Sequence, residues 1–138
     1  KPHGSGDSLM NYLVADFIVR VKNAYLARRQ SVVLPFSNLT LAIGKVLVKE
    51  GMLANIKEDM TDNKKILHAE LRYVRRRPAL TQVRVISKPS LRIYVGSKDA
   101  QRKNRDAVLS VVSTSLGIMT GKDAAKKGVG GELLFSIW

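Results

Sequence analysis

Apolar residues at Leu9, Leu13, Phe17 and Val21 recur every four positions, flanked by Val14, Ile18 and Tyr25, and this spacing predicts a helix ending near Arg28. Asp16, Arg20 and Asn23 fall on or near its polar face. Residues 31–34 read as a short strand closed by Pro35. Ser37 or Asn38 can then cap a second helix whose stripe is Leu39, Ile43, Val46 and Leu47, with Gly51 as its stop. Residues 52–57 and 65–73 form a predicted hairpin across the turn-rich run 58–63. In its second strand Leu67, Ala69, Leu71 and Tyr73 alternate with His68, Glu70 and Arg72, so one face is buried and the other wet.

The order α-β-α-β-β makes a two-layer unit. Arg75-Arg76-Arg77-Pro78 then breaks the pattern, because proline removes a backbone donor and three adjacent like charges repel. Beyond it, residues 82–87, 91–95, 108–112 and 133–138 are rich in Val, Ile and Leu and short enough to be strands. A short helix interrupts them. Thr120-Gly121-Lys122-Asp123 fits a capping box, Lys126 and Lys127 sit in the last turn, and Gly128 ends it. The predicted class is α+β with two small domains: residues 1–74, with a mobile lead-in over 1–8, then a basic linker over 75–81, then a mostly β unit with a short helix over 82–138.

Charge changes the picture most. The 138 residues carry 24 Lys+Arg against 11 Asp+Glu, a net charge of +13. Residues 75–138 hold 13 of the basic residues and 4 of the acidic ones, so the second half carries most of the excess. A field of that sign gathers polyanions, and nucleic acid is the commonest one a basic domain meets. Solubility alone is the plainer reading of the charge. No stretch combines a basic face with a bulky apolar face at helical spacing, which weighs against a membrane surface. Residues 9–21 are broken by Asn11, Asp16 and Arg20, well short of a membrane span. The absence of cysteine excludes disulfides, thiolate metal sites and a cysteine nucleophile. The chain opens with Lys1 and Pro2 rather than Met, as a processed or trimmed protein would, including one that has lost an organelle import segment.

Three constellations carry candidate chemistry. In Ile86-Ser87-Lys88-Pro89-Ser90-Leu91-Arg92-Ile93-Tyr94-Val95, Arg92 and Tyr94 share a strand face, a cation beside an aromatic that suits phosphate and base together. An ordinary cross-strand pair is the competing reading. Ser113-Thr114-Ser115-Leu116-Gly117 puts three hydroxyls before a glycine. Hydroxyls donate and accept, as base edges and a 2′-OH require, although such a run also forms local side-chain-to-backbone motifs. Gly128-Val129-Gly130-Gly131-Glu132 superficially suggests a phosphate cradle but follows a helix and precedes a strand, the reverse of a dinucleotide fingerprint. Catalytic inventory is thin. His3 and His68 are the only histidines, no elbow motif holds a nucleophile, and no metal-ligand spacing is present, so neither an enzyme nor a cofactor is expected.

The string Val111-Val112-Ser113-Thr114-Ser115-Leu116-Gly117-Ile118-Met119-Thr120-Gly121-Lys122-Asp123-Ala124, followed by Gly130-Gly131-Glu132, closely resembles the C-terminal signature of the eighth small-subunit ribosomal protein family. The Lys-Pro segment over 86–95 looks like that family's second motif. Val14-Ala15-Asp16-Phe17 and Arg20-Val21-Lys22-Asn23-Ala24 are similar to its first helix, so the likeness runs in one order from about Leu9 to Trp138. It implies a two-domain α+β ribosomal protein that binds the central domain of small-subunit rRNA during assembly, with neighbouring small-subunit proteins as partners. It implies no small-molecule substrate and no membrane. Location would be the ribosome of a bacterial cytoplasm or of a mitochondrial or plastid matrix. Carried over by position, the resemblance nominates Lys88, Pro89, Tyr94, Ser113, Thr114, Ser115, Gly117, Gly131 and Glu132 for one irregular RNA helix and Arg20, Lys22 and Asn23 for a second segment. Arg92 joins them from the residue reading.

Ser90 departs from the glycine the family usually carries after Lys-Pro. Residues 101–106 are far more polar than the expected apolar turn of helix, and Asn11-Tyr12 displaces an acidic residue near the start of the first helix. Two other functions fit the same sequence. A free-standing RNA-binding translational regulator would use the same surface but would not co-sediment with ribosomal subunits. An RNA-acting enzyme would lose turnover on joint substitution of His68 and Glu70.

Overall fold

The computed structural model describes residues 4–86, 93–97 and 108–138, with side chains from Tyr12 onward. Helix α1 (Gly4–Leu26) leads into strand β1 (Ser31–Pro35), helix α2 (Asn38–Lys49), and strands β2 (Leu53–Thr61) and β3 (Lys64–Leu71). A small hairpin of β4 (Tyr73–Val74) and β5 (Arg77–Pro78) follows. The rest is β6 (Val83–Val85), β7 (Tyr94–Val95), β8 (Leu109–Thr114), β9 (Gly117–Thr120), α3 (Gly121–Lys126) and β10 (Gly131–Ile137). The α+β class and the α-β-α-β-β order of the first half are as the periodicities predict.

Helix α1 begins at Gly4, inside the stretch expected to be a loose lead-in, since an established helix extends by one hydrogen bond per added residue. Its apolar stripe, Val14, Phe17, Ile18, Val21 and Tyr25, is buried. Ser37 caps α2 in a reciprocal capping box: Ser37 Oγ accepts from the Thr40 amide at 3.0 Å, and Thr40 Oγ1 accepts from the Ser37 amide at 2.8 Å. The first sheet is antiparallel in the order β1-β3-β2. Its hairpin is tighter than the turn-rich run suggests, because Thr61 pairs with Lys64 and only Asp62 and Asn63 form the loop. Both have positive φ, 51° and 62°, which short polar side chains tolerate.

The second sheet centres on β10. Strand β8 lies along one edge of it with β9 beyond, while β6 and β7 share the other edge, β6 opposite residues 135–137 and β7 opposite Gly131 and Glu132. Strand β10 is therefore central, and its second half is buried. One apolar core runs from α1 and the first sheet through Leu80 to Val111, Leu134, Phe135 and Ile137, so continuous packing crosses the stretch expected to be a linker. A smaller cluster of Val112, Met119, Ala124 and Leu133 fills the opposite face of the second sheet under α3. The linker itself is built as the β4–β5 hairpin.

His68, expected on a wet face, is half-buried, and its Nδ1 is shielded with no hydrogen-bond partner among the described residues. Strand β3 lies between two others, so Val33 and Lys57 flank His68 across the sheet, whereas Glu70 remains exposed.

Candidate nucleic-acid interface

Glycine decides how the second sheet is assembled at one end. A Cβ on Gly131 would stand 2.0 Å from the Ser113 carbonyl oxygen, and one on Gly130 would stand 2.3 Å from that of Val95. Only hydrogen fits at either place, so the Gly130-Gly131 pair lets β7, β10 and β8 close on one another. The next residue is then fixed in register: Glu132 pairs with Tyr94 on one side and with Ser113 on the other. Antiparallel partners point to the same face, so a phenol, a carboxylate and a hydroxyl stand in one row. Their sequence neighbours Val95, Leu133 and Val112 turn to the other face and pack in the smaller cluster under α3.

The row is graded in exposure. Tyr94 is 67% exposed, while Glu132 and Ser113 are half-buried. Glu132 Oε2 is shielded from solvent and has no hydrogen-bond partner among the described residues. A buried acceptor without a donor is costly, and it suits a donor supplied from outside the chain.

Ser115 and Leu116 form the loop of the β8–β9 hairpin, closed by the Thr114–Gly117 pair. Thr114 Oγ1 donates to the Gly117 carbonyl at 2.8 Å and accepts from the Leu116 amide at 3.1 Å, so this hydroxyl holds the turn. Gly117 has φ +120°, a conformation that favours glycine. Ser115 and Leu116 are left exposed at the tip. Behind the turn, Thr120 Oγ1 accepts from the Asp123 amide at 3.1 Å and caps α3, the Thr120 half of the capping box the sequence predicts. Asp123 then ion-pairs with Lys49 of α2 at 3.3 Å, tying the turn to the first half of the chain.

That tie creates a feature sequence reasoning missed. Lys45 and Lys49 of α2 come together with Leu116, Met119, Asp123 and Lys127 around an open groove of about 440 Å³. No local pattern signals it, because the lysines on α2 and the residues on the turn are remote in sequence.

The remaining candidates divide into those on the first helix and those outside the described residues. Arg20, Lys22 and Asn23 lie on α1, where Arg20 Nε pairs with Asp16 at 3.0 Å across one helical turn. Lys88, Pro89 and Arg92 lie outside the described residues, as do Ser90 and residues 101–106. Among the described residues no helix is long and apolar enough to cross a membrane.

Fold and site together define a small basic α+β protein that presents a polar row and a hydroxyl turn at one end of its second sheet. The family model for Ribosomal protein S8 matches residues 13–138, and the chain belongs to that family. It is 40% identical over 132 residues to small ribosomal subunit protein uS8 of Koribacter versatilis, covering 95% of this chain and 99% of that one. It is 37% identical over 130 residues to uS8 of Trichormus variabilis, covering 93% and 98% of the two chains. With uS8c of Phaeodactylum tricornutum it shares 35% over 132 residues, covering 94% and 100%.

Proposed function

We propose that this protein is a structural constituent of the small ribosomal subunit that binds the central domain of small-subunit rRNA, supports its assembly and performs no catalytic step. The observation that carries this reading is the Tyr94–Glu132–Ser113 row, with Glu132 Oε2 buried and lacking a donor. An exocyclic amine or a 2′-OH would supply that donor, Tyr94 a stacking surface, and Ser115 a hydroxyl able to donate or accept. This set suits an irregular RNA whose bases and sugars are splayed, and suits poorly the deep major groove of a regular A-form duplex. Lys45 and Lys127 on the adjacent groove, where Lys49 is already paired with Asp123, would neutralise phosphates. The nominated Lys88, Pro89 and Arg92 would extend the same surface, and Arg20, Lys22 and Asn23 would meet another RNA segment.

The test is a salt titration of binding to an irregular central-domain rRNA hairpin and to a fully paired hairpin of equal length, for the native protein and for Ser115→Ala with Lys88→Ala. Expected is preference for the irregular hairpin, a steep fall with salt, and loss of preference in the double variant. Equal binding to both hairpins by the native protein would overturn the recognition site.

A further inference from the structure

Three arginines occupy backbone positions that ordinarily go to glycine or asparagine, and all three meet at one place. Helices α2 and α3 close with the same pair of hydrogen bonds. Around Gly51 these run from the Gly51 amide to Val48 O at 3.1 Å and from the Met52 amide to Leu47 O at 2.8 Å. Around Gly128 they run from the Gly128 amide to Ala125 O at 3.1 Å and from the Val129 amide to Ala124 O at 3.0 Å. Both glycines have positive φ, +80° and +69°. Helix α1 closes identically, with bonds of 3.1 Å from the Arg28 amide to Tyr25 O and 3.0 Å from the Arg29 amide to Ala24 O. Its left-handed residue, at φ 58°, is Arg28.

Two of the two-residue hairpin loops, those with both residues at positive φ, repeat the contrast. Asp62-Asn63 joins β2 to β3, and Arg75-Arg76, at φ 53° and 67°, joins β4 to β5. A loop with both central residues at positive φ strongly favours Asn-Gly or Asp-Gly. Local folding preference therefore does not account for Arg-Arg, nor for arginine at the end of α1.

The strained positions are joined. Arg28 Nη1 donates to the Arg76 carbonyl, and the Arg28 guanidinium lies 5.9 Å from the centre of the Tyr73 ring. Tyr73 Oη donates to the Arg29 carbonyl at 2.6 Å. The hairpin is thus strapped to the end of α1, and Arg75, Arg76 and Arg77 project from it exposed. No carboxylate pairs with any of them among the described residues, whose ion pairs are Arg20–Asp16, Lys49–Asp123 and Lys65–Glu58. Arg29, next to Arg28 in the chain, is exposed too.

We infer that the Arg75–Arg77 hairpin, held against α1 by Arg28, is a second phosphate-binding site for the RNA backbone, separate from the Tyr94–Glu132–Ser113 row. This rests on the RNA-binding reading and assigns the hairpin the sequence-indifferent share of affinity. Guanidiniums present planar forks that match phosphate oxygens, and a fixed hairpin keeps them together before RNA arrives. Phosphate contacts add affinity and salt dependence without telling one sequence from another.

Replacing Arg75-Arg76 by the pair this turn favours separates function from folding. Expected for R75N/R76G is a melting temperature a few degrees above native, because both strained residues are relieved. Binding to the irregular and the fully paired hairpins should weaken by the same factor, about five- to tenfold at 0.15 M salt. The slope of log affinity against log salt should flatten by about 1.5, and preference for the irregular hairpin should be unchanged. R77Q, which touches no strained position, should leave the melting temperature alone and flatten the slope by about half as much. Unchanged affinity and slope in both variants would overturn the inference, as would be found if the hairpin docks on an acidic protein. A fall in preference for the irregular hairpin would overturn the separation from the row. Absence of any preference in the native protein would count against the proposed function alone, since the slopes of the variants still decide whether the hairpin binds phosphate.

Discussion

Replacing Gly131 by alanine tests the geometry on which the candidate site depends. The new methyl would lie 2.0 Å from the Ser113 carbonyl oxygen and 2.8 Å from its carbon, where ordinary contact begins near 3.4 Å. Both obstructing atoms are backbone, so no side chain can swing aside, and β8 and β10 must part by more than 1 Å. Hydrogen bonds between strands do not survive that stretch. Losing about two of them at about 1 kcal/mol each, with about 1–3 kcal/mol of overpacking, gives a destabilisation of about 3–5 kcal/mol. The control is Gly128→Ala. Gly128 has φ +69° and, among the described residues, nothing within 4 Å of where a Cβ would stand, so only the backbone penalty of about 1 kcal/mol applies. In urea, with a slope of about 1.5 kcal/mol per molar, the midpoints should fall by about 2–3 M and by less than 1 M. Equal midpoints for the two variants would refute the claim that close strand approach, rather than backbone freedom, requires glycine at position 131.

Glu132→Gln removes a buried carboxylate oxygen that lacks a donor. Thermal melting should show no loss of stability, while preference for the irregular hairpin in a binding titration should fall about tenfold, the worth of one charged hydrogen bond. Tyr25→Phe deletes a buried hydroxyl that donates to the Met52 carbonyl and accepts from the Arg72 amide at 3.0 Å. Urea unfolding at neutral pH should show a loss of about 1–3 kcal/mol. Burial raises the Tyr25 pKa, so the unfolded chain releases this proton first. Stability is full below pH 10 and falls as pH rises through the folded value, and the phenylalanine variant should show a shallower alkaline decline in pH-dependent melts. Ser37→Ala opens the capping box of α2 and should cost about 1 kcal/mol in the same melts.

Local chemistry made the elements legible. The four-residue spacing of Phe17 and Val21, the alternation of Leu67, Ala69 and Leu71, and the Thr120-to-Asp123 cap each act within a few residues, and each appears where the sequence predicts it. Strand β9 escaped because Gly117–Thr120 is short and mixed, and it becomes a strand only by pairing with β8. The apolar packing across residues 75–81 escaped for a related reason. Leu80 and Phe135 are simply apolar in sequence, and nothing local says they share a core with α1. The site was legible as residue types but not as an arrangement. Tyr94, Ser113 and Glu132 were each named, yet their common row follows from a register that only the sheet reveals.

That distribution follows from where the second sheet ends. Along β10, Phe135 and Ile137 are locked in the main core and are completely buried, whereas Glu132 and Gly131, at the other end of the strand, are only half-buried. The same strand thus anchors itself at one end and carries polar groups at the other, and the glycines that permit close pairing keep those groups from drifting apart. Precision of this kind is what selectivity among RNAs requires, because a hydroxyl or carboxylate misplaced by an ångström no longer meets its partner. Charge needs no such precision, and the arginines fall instead on a hairpin and a helix end that the core does not dictate. On the proposed reading affinity and selectivity reside in different places: substitutions at Arg75–Arg77 should move the salt dependence, and substitutions in the row should move the choice of RNA.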